Sequence, residues 1–173
     1  MKRKIQVWEY AGQILEQLGK GALLTVKAED RVNTMTVGWG MLGIEWGKPI
    51  CTVFVRESRF SKELLDKNPE FTLNIPLGDC REILGVCGSR SGRDMDKIKQ
   101  LGLTLEEPEQ VSVPGIRELP LTLECKVIYR QEQVLGEMTA EARSRYYPAT
   151  EQFPEGDVHT AYYGQILDAY IIE

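Results

Sequence analysis

Alternation between apolar and polar side chains is the dominant pattern along this chain. In residues 121–130 every second residue along the chain is apolar, so these side chains share one face. This pattern is expected of a strand in an antiparallel sheet with one buried face. Residues 50–55 form a continuous apolar run, rich in β-branched and aromatic side chains, that predicts a buried strand. Shorter runs predict further strands at residues 23–27, 33–40 and 71–75, and one or two within 159–172.

Helical spacing is confined to short segments. Apolar residues recur at helical spacing in residues 7–18, with Gly19 as the predicted stop, and other short helices are predicted at residues 62–67, 79–87 and 94–101. Many short strands with few helices, and no strand–helix alternation, indicate a mainly β protein, an antiparallel barrel with peripheral helices. Because no linker or repeat interrupts the pattern, we expect one domain over residues 1–173.

Composition and charge narrow the classes of function. The chain is 42% hydrophobic and 27% charged, as in soluble globular proteins. Its net charge of -5 argues against a general nucleic-acid binder, although a local basic cluster could still bind a phosphate. No apolar run approaches the roughly 20 residues of a membrane helix, and no signal-peptide core is visible, so we expect no membrane partner.

The cysteine and histidine content bears on metals and on the compartment. The four cysteines form no C-x-x-C pair, and with a single histidine they make no zinc constellation. Cys51 and Cys125 lie in apolar, strand-like runs, where cysteine behaves as a small hydrophobic residue. We therefore expect no metal, and a cytoplasmic location in which thiols stay reduced.

Residues 56–61, Arg-Glu-Ser-Arg-Phe-Ser, stand where a predicted strand ends and a helix begins. Free backbone N–H groups and the positive end of the helix dipole would point there, beside guanidinium groups and hydroxyls. This combination suits an anionic group, most simply a phosphate. Taken alone, the stretch fits slightly better a serine N-cap beside two solvated arginines.

Two other stretches contain candidate binding residues. In residues 33–40 the alternation sets Thr34, Thr36 and Gly38 on one face, which predicts a shallow polar groove for a flat ligand, with solvent-facing threonines as the alternative. Residues 87–97 are dense in glycine, serine and charge and lead into a helix. They could bind part of an anionic ligand or form an exposed, capped loop.

Together with residues 159–166, these three stretches, in this order, resemble the flavin reductase-like, FMN-binding split-barrel family, and within it most closely the flavoredoxin branch. The matches span roughly residues 21–170. The resemblance implies a six-stranded antiparallel split barrel, a homodimer, and FMN bound near the dimer interface.

The resemblance also implies roles for individual residues. Those expected at the isoalloxazine ring are Asn33, Thr34, Met35, Thr36 and Trp39. Those expected at the ribityl-phosphate end are Arg56, Ser58 and Ser61, with Arg59 assisting, and the adjacent Val55 is also expected to bind the cofactor. Those expected to border the flavin or reach its phosphate are Cys87, Gly88, Ser91, Gly92 and Lys97. His159 is the candidate catalytic residue on the nicotinamide side, with a structural residue at a strand start as the alternative; Trp39 could equally be a core aromatic.

The leading function implied by the resemblance is an NAD(P)H-dependent flavin oxidoreductase, in which hydride passes from NADH or NADPH to bound FMN and electrons go on to free flavin or another acceptor. The alternative is a flavoredoxin-like electron carrier that a partner protein reduces, and a third is a flavin-binding protein without turnover. No G-x-G-x-x-G follows a predicted strand, so a nicotinamide would bind without a dedicated Rossmann domain.

Overall fold

The structure, a computed structural model, describes residues 1–173 as ten strands and five α-helices. The strands are β1 (Lys2–Lys4), β2 (Ala22–Ala28), β3 (Arg31–Val37), β4 (Gly40–Glu45), β5 (Lys48–Arg56), β6 (Glu70–Ile75), β7 (Leu105–Glu106), β8 (Gly115–Ile116), β9 (Leu121–Glu132) and β10 (His159–Ile172). The helices are α1 (Ala11–Lys20), α2 (Phe60–Lys67), α3 (Arg81–Ser89), α4 (Lys97–Leu101) and α5 (Ala140–Tyr146). None of these helices has the length and apolarity needed to cross a membrane.

The strand β10 is central to the main sheet. The sheet has eight antiparallel strands in the order β3-β2-β6-β9-β10-β5-β4, and β1 pairs with the far end of β10. One edge of β10 pairs with β9 along most of its length, and the other pairs first with β5 and then with β1. The short strands β7 and β8 form a separate ladder. The start of β10 is thereby brought beside the end of β5.

Two apolar clusters lie on opposite faces of β2. Leu24 and Val26 face the main core, which α1 and α2 also enter with Ile14 and Leu65. Leu23 points the other way, into a smaller cluster under α3 and α4. Burying each such side chain stabilises the fold by roughly 1.5–3 kcal/mol. Strict alternation in β2 therefore fixes α3 against the outer face of the sheet.

The predicted mainly β, antiparallel fold with peripheral helices is confirmed. The main sheet has eight strands rather than six, because β4 and β1 extend it beside β5 and β10. The helix predicted from residue 7 starts as a 3-10 turn, Val7–Tyr10, and ends at Gly21, whose φ of 126° favours glycine, rather than at Gly19. The helix predicted at residues 94–101 begins only at Lys97, because Asp96 caps it by accepting a hydrogen bond from the Lys99 backbone N–H.

Candidate functional site

A groove opens where the β3–β4 connection meets the end of β5 and the start of β10. It has a volume of about 200 Å³. Its lining comprises residues 35–39, Phe54, Arg56, Arg59 and His159. Since β5 and β10 pair with Arg56 opposite His159, the register of two central strands sets the spacing of these side chains.

A second cavity, which we call the basic cleft, lies between the start of α2 and the loop that leads into α4. It has a volume of about 120 Å³. Its lining comprises Asn33, Met35, residues 58–61, Cys87, residues 90–93 and Lys97. Met35 and Arg59 border both cavities, so the groove and the basic cleft form one elongated site.

The basic cleft contains a buried cation. The side chain of Lys97 is buried, and its ammonium donates one hydrogen bond, of 3.2 Å, to the Cys87 carbonyl. Burial lowers the pKa of Lys97, and the nearby Arg59 guanidinium lowers it further. No carboxylate forms a salt bridge with Lys97, whereas the neighbouring Arg93 is paired with Glu63. Buried charges are normally paired, so this end of the site is suited to an anion.

The wall of the basic cleft is tightly packed. The Asn33 amide donates a hydrogen bond of 2.8 Å to the Ser61 hydroxyl, and both side chains are buried. A Cβ atom at residue 92 would collide with Asn33 and with the Phe60 ring. Gly92 therefore lets the loop approach β3 closely, which brings Asn33, Ser61 and Gly92 together in one wall of the basic cleft.

Arg56 and Ser58 do not occupy the role predicted from the sequence. The Arg56 guanidinium donates to the backbone carbonyls of Asp157, at 2.7 Å, and Tyr146, at 3.0 Å. The backbone N–H and the hydroxyl of Ser58 donate to the Asp157 carboxylate, at 3.1 and 2.6 Å. Backbone carbonyls thus accept the guanidinium donors of Arg56, and the Asp157 carboxylate accepts the donors of Ser58, all of which were assigned to a phosphate. Arg56 borders the groove beside His159 and not the basic cleft, whose arginines are Arg59, Arg90 and Arg93.

The threonine face of β3 is not the ligand face. Thr34 is fully buried and its hydroxyl lies 3.1 Å from that of Thr25, in a polar network within the sheet. The Thr36 hydroxyl donates to the Leu84 carbonyl of α3, at 2.6 Å. The predicted polar groove over Thr34 and Thr36 is therefore wrong, because α3 and the neighbouring strands cover that face. Thr36 borders the groove next to Met35, without offering its hydroxyl.

The residues predicted from the sequence divide into those that border the two cavities and those that do not. Bordering them are Asn33, Met35, Thr36, Trp39, Arg56, Ser58, Arg59, Ser61, Cys87, Ser91, Gly92, Lys97 and His159. The Val55 side chain is instead fully buried in the main core. Gly88 packs against Thr36, where its missing side chain lets α3 approach β3.

His159 and Trp39 form a wall of the groove that the basic cleft does not share. Their rings lie 5.0 Å apart, and 42% of the Trp39 surface is exposed, so Trp39 is not a core aromatic. His159 is buried, with its Nδ1 2.8 Å from the Tyr147 hydroxyl. Burial, with the Arg56 charge nearby, lowers the pKa of His159 to about 4. The imidazole is consequently neutral at neutral pH.

Sequence reasoning missed Phe54, Tyr147 and Asp157. Phe54 borders the groove while Val53 and Val55 on either side are fully buried. In a continuous apolar run only the alternation of the strand could have separated Phe54 from its neighbours. Tyr147 and Asp157 reach the site through the loop before β10, and no local sequence signal marks their contacts.

Comparisons with known proteins agree on the type of fold. The profile of the family described as "Flavin reductase like domain" matches residues 20–173. An uncharacterized protein of Archaeoglobus fulgidus is 29% identical over 109 residues, which are 63% of this chain and 61% of that protein, so the match spans less than two thirds of the relative. A flavoredoxin of Methanosarcina acetivorans matches with a TM-score of 0.68 and 24% identity, over 88% of this chain and 68% of that one. An FMN-binding domain of a flavin reductases-like enzyme from Shewanella baltica matches with a TM-score of 0.68 and 15% identity, over 99% of this chain and 77% of that one.

Proposed function

Since this chain belongs to the flavin reductase-like family, we propose that it is an FMN-binding oxidoreductase that takes electrons from NADH or NADPH. The ring of the flavin would lie in the groove and its phosphate in the basic cleft. FMN, when bound, supplies the hydride chemistry, so the chain needs no acid–base pair of its own.

The observation that carries this proposal is the buried ammonium of Lys97. It has no carboxylate partner and lies near a second cation, Arg59, in the basic cleft. A phosphate would bring both a negative charge and acceptor oxygens, which form strong charge-assisted hydrogen bonds. Ser91 borders the same cleft and offers a hydroxyl donor. The donor set therefore fits the phosphate end of FMN.

The groove side of the site supplies a surface for a flat ring system. Met35, Trp39 and Phe54 border it with apolar and aromatic side chains, which favour stacking and keep water out. The neutral imidazole of His159 adds a polar group without adding charge. A nicotinamide could approach from this side.

The test is anaerobic mixing of FMN-loaded protein with NADH and with NADPH while the visible flavin absorption is followed. We expect rapid bleaching with at least one of the two donors. A protein that fails to quench the fluorescence of added FMN would contradict the flavoprotein proposal altogether. A flavin that remains yellow with both nucleotides, but bleaches with dithionite, would contradict direct NAD(P)H turnover.

That last outcome would favour a flavoredoxin-like electron carrier reduced by a partner protein. The likeness to the flavoredoxin of Methanosarcina acetivorans supports this second candidate. Anaerobic mixing of the FMN-loaded protein with a reduced ferredoxin-type protein, without dithionite, would separate the carrier from a flavin-binding protein without turnover. Only the flavin of the carrier would bleach.

We also propose a homodimer, with an exposed aromatic face as its interface. Ile44, near the end of the edge strand β4, is 74% exposed, and Trp46, in the turn that follows β4, is 65% exposed. Trp46 lies edge-on to Tyr129, which packs against Tyr163. Contiguous exposed apolar side chains along a sheet edge mark interaction surfaces, and the family resemblance favours a second copy of this chain as the occupant.

The substitution Ile44→Asp is expected to convert the dimer into a monomer, because it would bury a charge in the interface. Light scattering at micromolar protein measures the change in mass. Leu77→Asp, at an exposed apolar position outside this face, is the matched control and should leave the mass unchanged. A wild-type protein with the mass of a monomer would contradict the proposal.

A further inference from the structure

A chain of hydrogen bonds behind the groove determines where the proton of His159 resides. The Tyr147 hydroxyl lies 2.6 Å from the Gln133 Oε1 atom and 2.8 Å from the His159 Nδ1 atom. A phenol has one proton, and a carbonyl oxygen has none to donate. The 2.6 Å separation is typical of an O–H···O bond, so Tyr147 donates to Gln133. His159 Nδ1 must then carry a proton and donate to Tyr147.

The other ring nitrogen is therefore an acceptor. A neutral imidazole has one N–H, and with that proton on Nδ1 the Nε2 atom has a free lone pair. Nε2 has no hydrogen-bond partner within the chain, and the His159 ring borders the groove beside Trp39. An acceptor with no partner thus faces the cavity where a second ring would stack.

The charges around the ring keep it neutral. Arg56 and Arg59 at the end of β5 and the start of α2 disfavour a third positive charge, and their effect adds to that of burial. Asp157, in the loop before β10, acts in the opposite direction but is held by Ser58 and lies beside Arg56. Protonation of Nε2, which would abolish its lone pair, is consequently suppressed at neutral pH.

We propose that Gln133 and Tyr147 are positioning residues that hold His159 with its proton on Nδ1, so that Nε2 accepts a hydrogen bond from the carboxamide N–H of a nicotinamide in the groove. This inference rests on the proposed NAD(P)H-dependent function. The carboxamide supplies a donor for Nε2 and a carbonyl oxygen for a guanidinium, and the groove has Arg56 and Arg59 beside His159. A ring with only acceptors at this position would leave the Nε2 lone pair without a partner.

The first test reads the tautomer directly and needs neither flavin nor nucleotide. Because His159 is the only histidine of the chain, nitrogen NMR of protein labelled with ¹⁵N-histidine gives one pair of ring signals, and their couplings to the ring protons Hδ2 and Hε1 distinguish Nδ1 from Nε2. We expect, at neutral pH, a protonated Nδ1 and a lone-pair Nε2. The reverse pattern in the wild-type protein would overturn the proposal.

Two substitutions then test the positioning chain. Tyr147→Phe removes the hydroxyl and is expected to give averaged signals from both tautomers. Gln133→Lys replaces the acceptor by a group that only donates, so Tyr147 should donate to Nδ1 and move the ring proton to Nε2. Tyr146→Phe, which removes a hydroxyl without a hydrogen bond one residue away, should retain the wild-type signals. Unchanged signals in Tyr147→Phe and Gln133→Lys would overturn the positioning role.

Binding of the nucleotide tests the recognition step. With FMN-loaded protein, Tyr147→Phe and Gln133→Lys are expected to raise the Kd or KM for the nicotinamide nucleotide roughly tenfold, the loss of one hydrogen bond, while FMN affinity stays within about twofold. An unchanged KM beside an altered tautomer would overturn the recognition by Nε2. If wild-type protein binds neither nucleotide, the NAD(P)H function and this recognition step both fail, whereas the NMR result stands as a separate test of the tautomer.

Discussion

Replacing Lys97 by methionine is expected to weaken FMN binding by a factor of at least about 100 while leaving the flavin-free protein as stable as the wild type or more so. Loss of one partner of a buried ion pair costs about 3–5 kcal/mol, and each 1.4 kcal/mol is tenfold in affinity. Without the phosphate, the same ammonium is a buried cation whose only hydrogen-bond partner is the Cys87 carbonyl, so an apolar side chain of similar length relieves desolvation. Quenching of flavin fluorescence measures the affinity, and thermal unfolding without flavin measures the stability.

The phosphate itself provides the sharpest control for Lys97. Riboflavin, which lacks the phosphate, should bind equally to wild-type and Lys97→Met protein. Lys99→Met, on an exposed side chain of the same helix, should leave FMN binding unchanged. Equal losses for FMN and riboflavin would mean that Lys97 contacts the ring or shapes the cleft, and the phosphate would have to be assigned elsewhere.

Replacing Gly164 by alanine is expected to lower the free energy of unfolding by about 1–3 kcal/mol, the usual cost of overpacking a core. A Cβ atom at this position in β10 would lie 2.5 Å from the Phe71 ring and 2.9 Å from the Cys125 Cβ atom. Both neighbours are fully buried, and β9 and β6 hold them in place on the same face of the sheet. Denaturant unfolding followed by circular dichroism measures the change.

Gly43 provides the matched control, because it also lies in a strand but a Cβ atom added there would have no other side chain or backbone atom within 4 Å. Gly43→Ala should change the free energy of unfolding by no more than about 0.5 kcal/mol. The double variant Gly164→Ala with Phe71→Leu should recover part of the lost stability, since the shorter side chain makes room. Equal effects of the two glycine substitutions would contradict a packing origin.

The strands could be predicted from the sequence because their cause is local. Alternation in residues 121–130 and the apolar run at 50–55 reflect which side chains face the core, and both segments are strands in the structure. Alternation does not say which face is covered by another element. For this reason it places Thr34 and Thr36 on an open face, whereas α3 and the adjoining strands cover that face.

The part of the site that the sequence could not reveal depends on contacts between distant segments. Arg56 and Ser58 have the composition of an anion site, but Asp157, 99 residues beyond Ser58, already uses their donors. The family resemblance points to both Lys97 and Arg59, yet nothing local distinguishes a buried lysine from a solvated one in a charged loop. The Gln133–Tyr147–His159 chain likewise joins three segments that only the fold brings together.

The central place of β10 also bears on how the chain is made. The half of the sheet with β3, β2, β6 and β9 joins the β4–β5 hairpin only through β10, which comes after all of them in the sequence. During synthesis on the ribosome, the edge of β5 that pairs with β10 therefore remains unpaired until residues 159–172 have emerged. The nascent chain cannot complete its sheet in stages, and its period of exposure to aggregation, or to chaperones, lasts until that late segment is available.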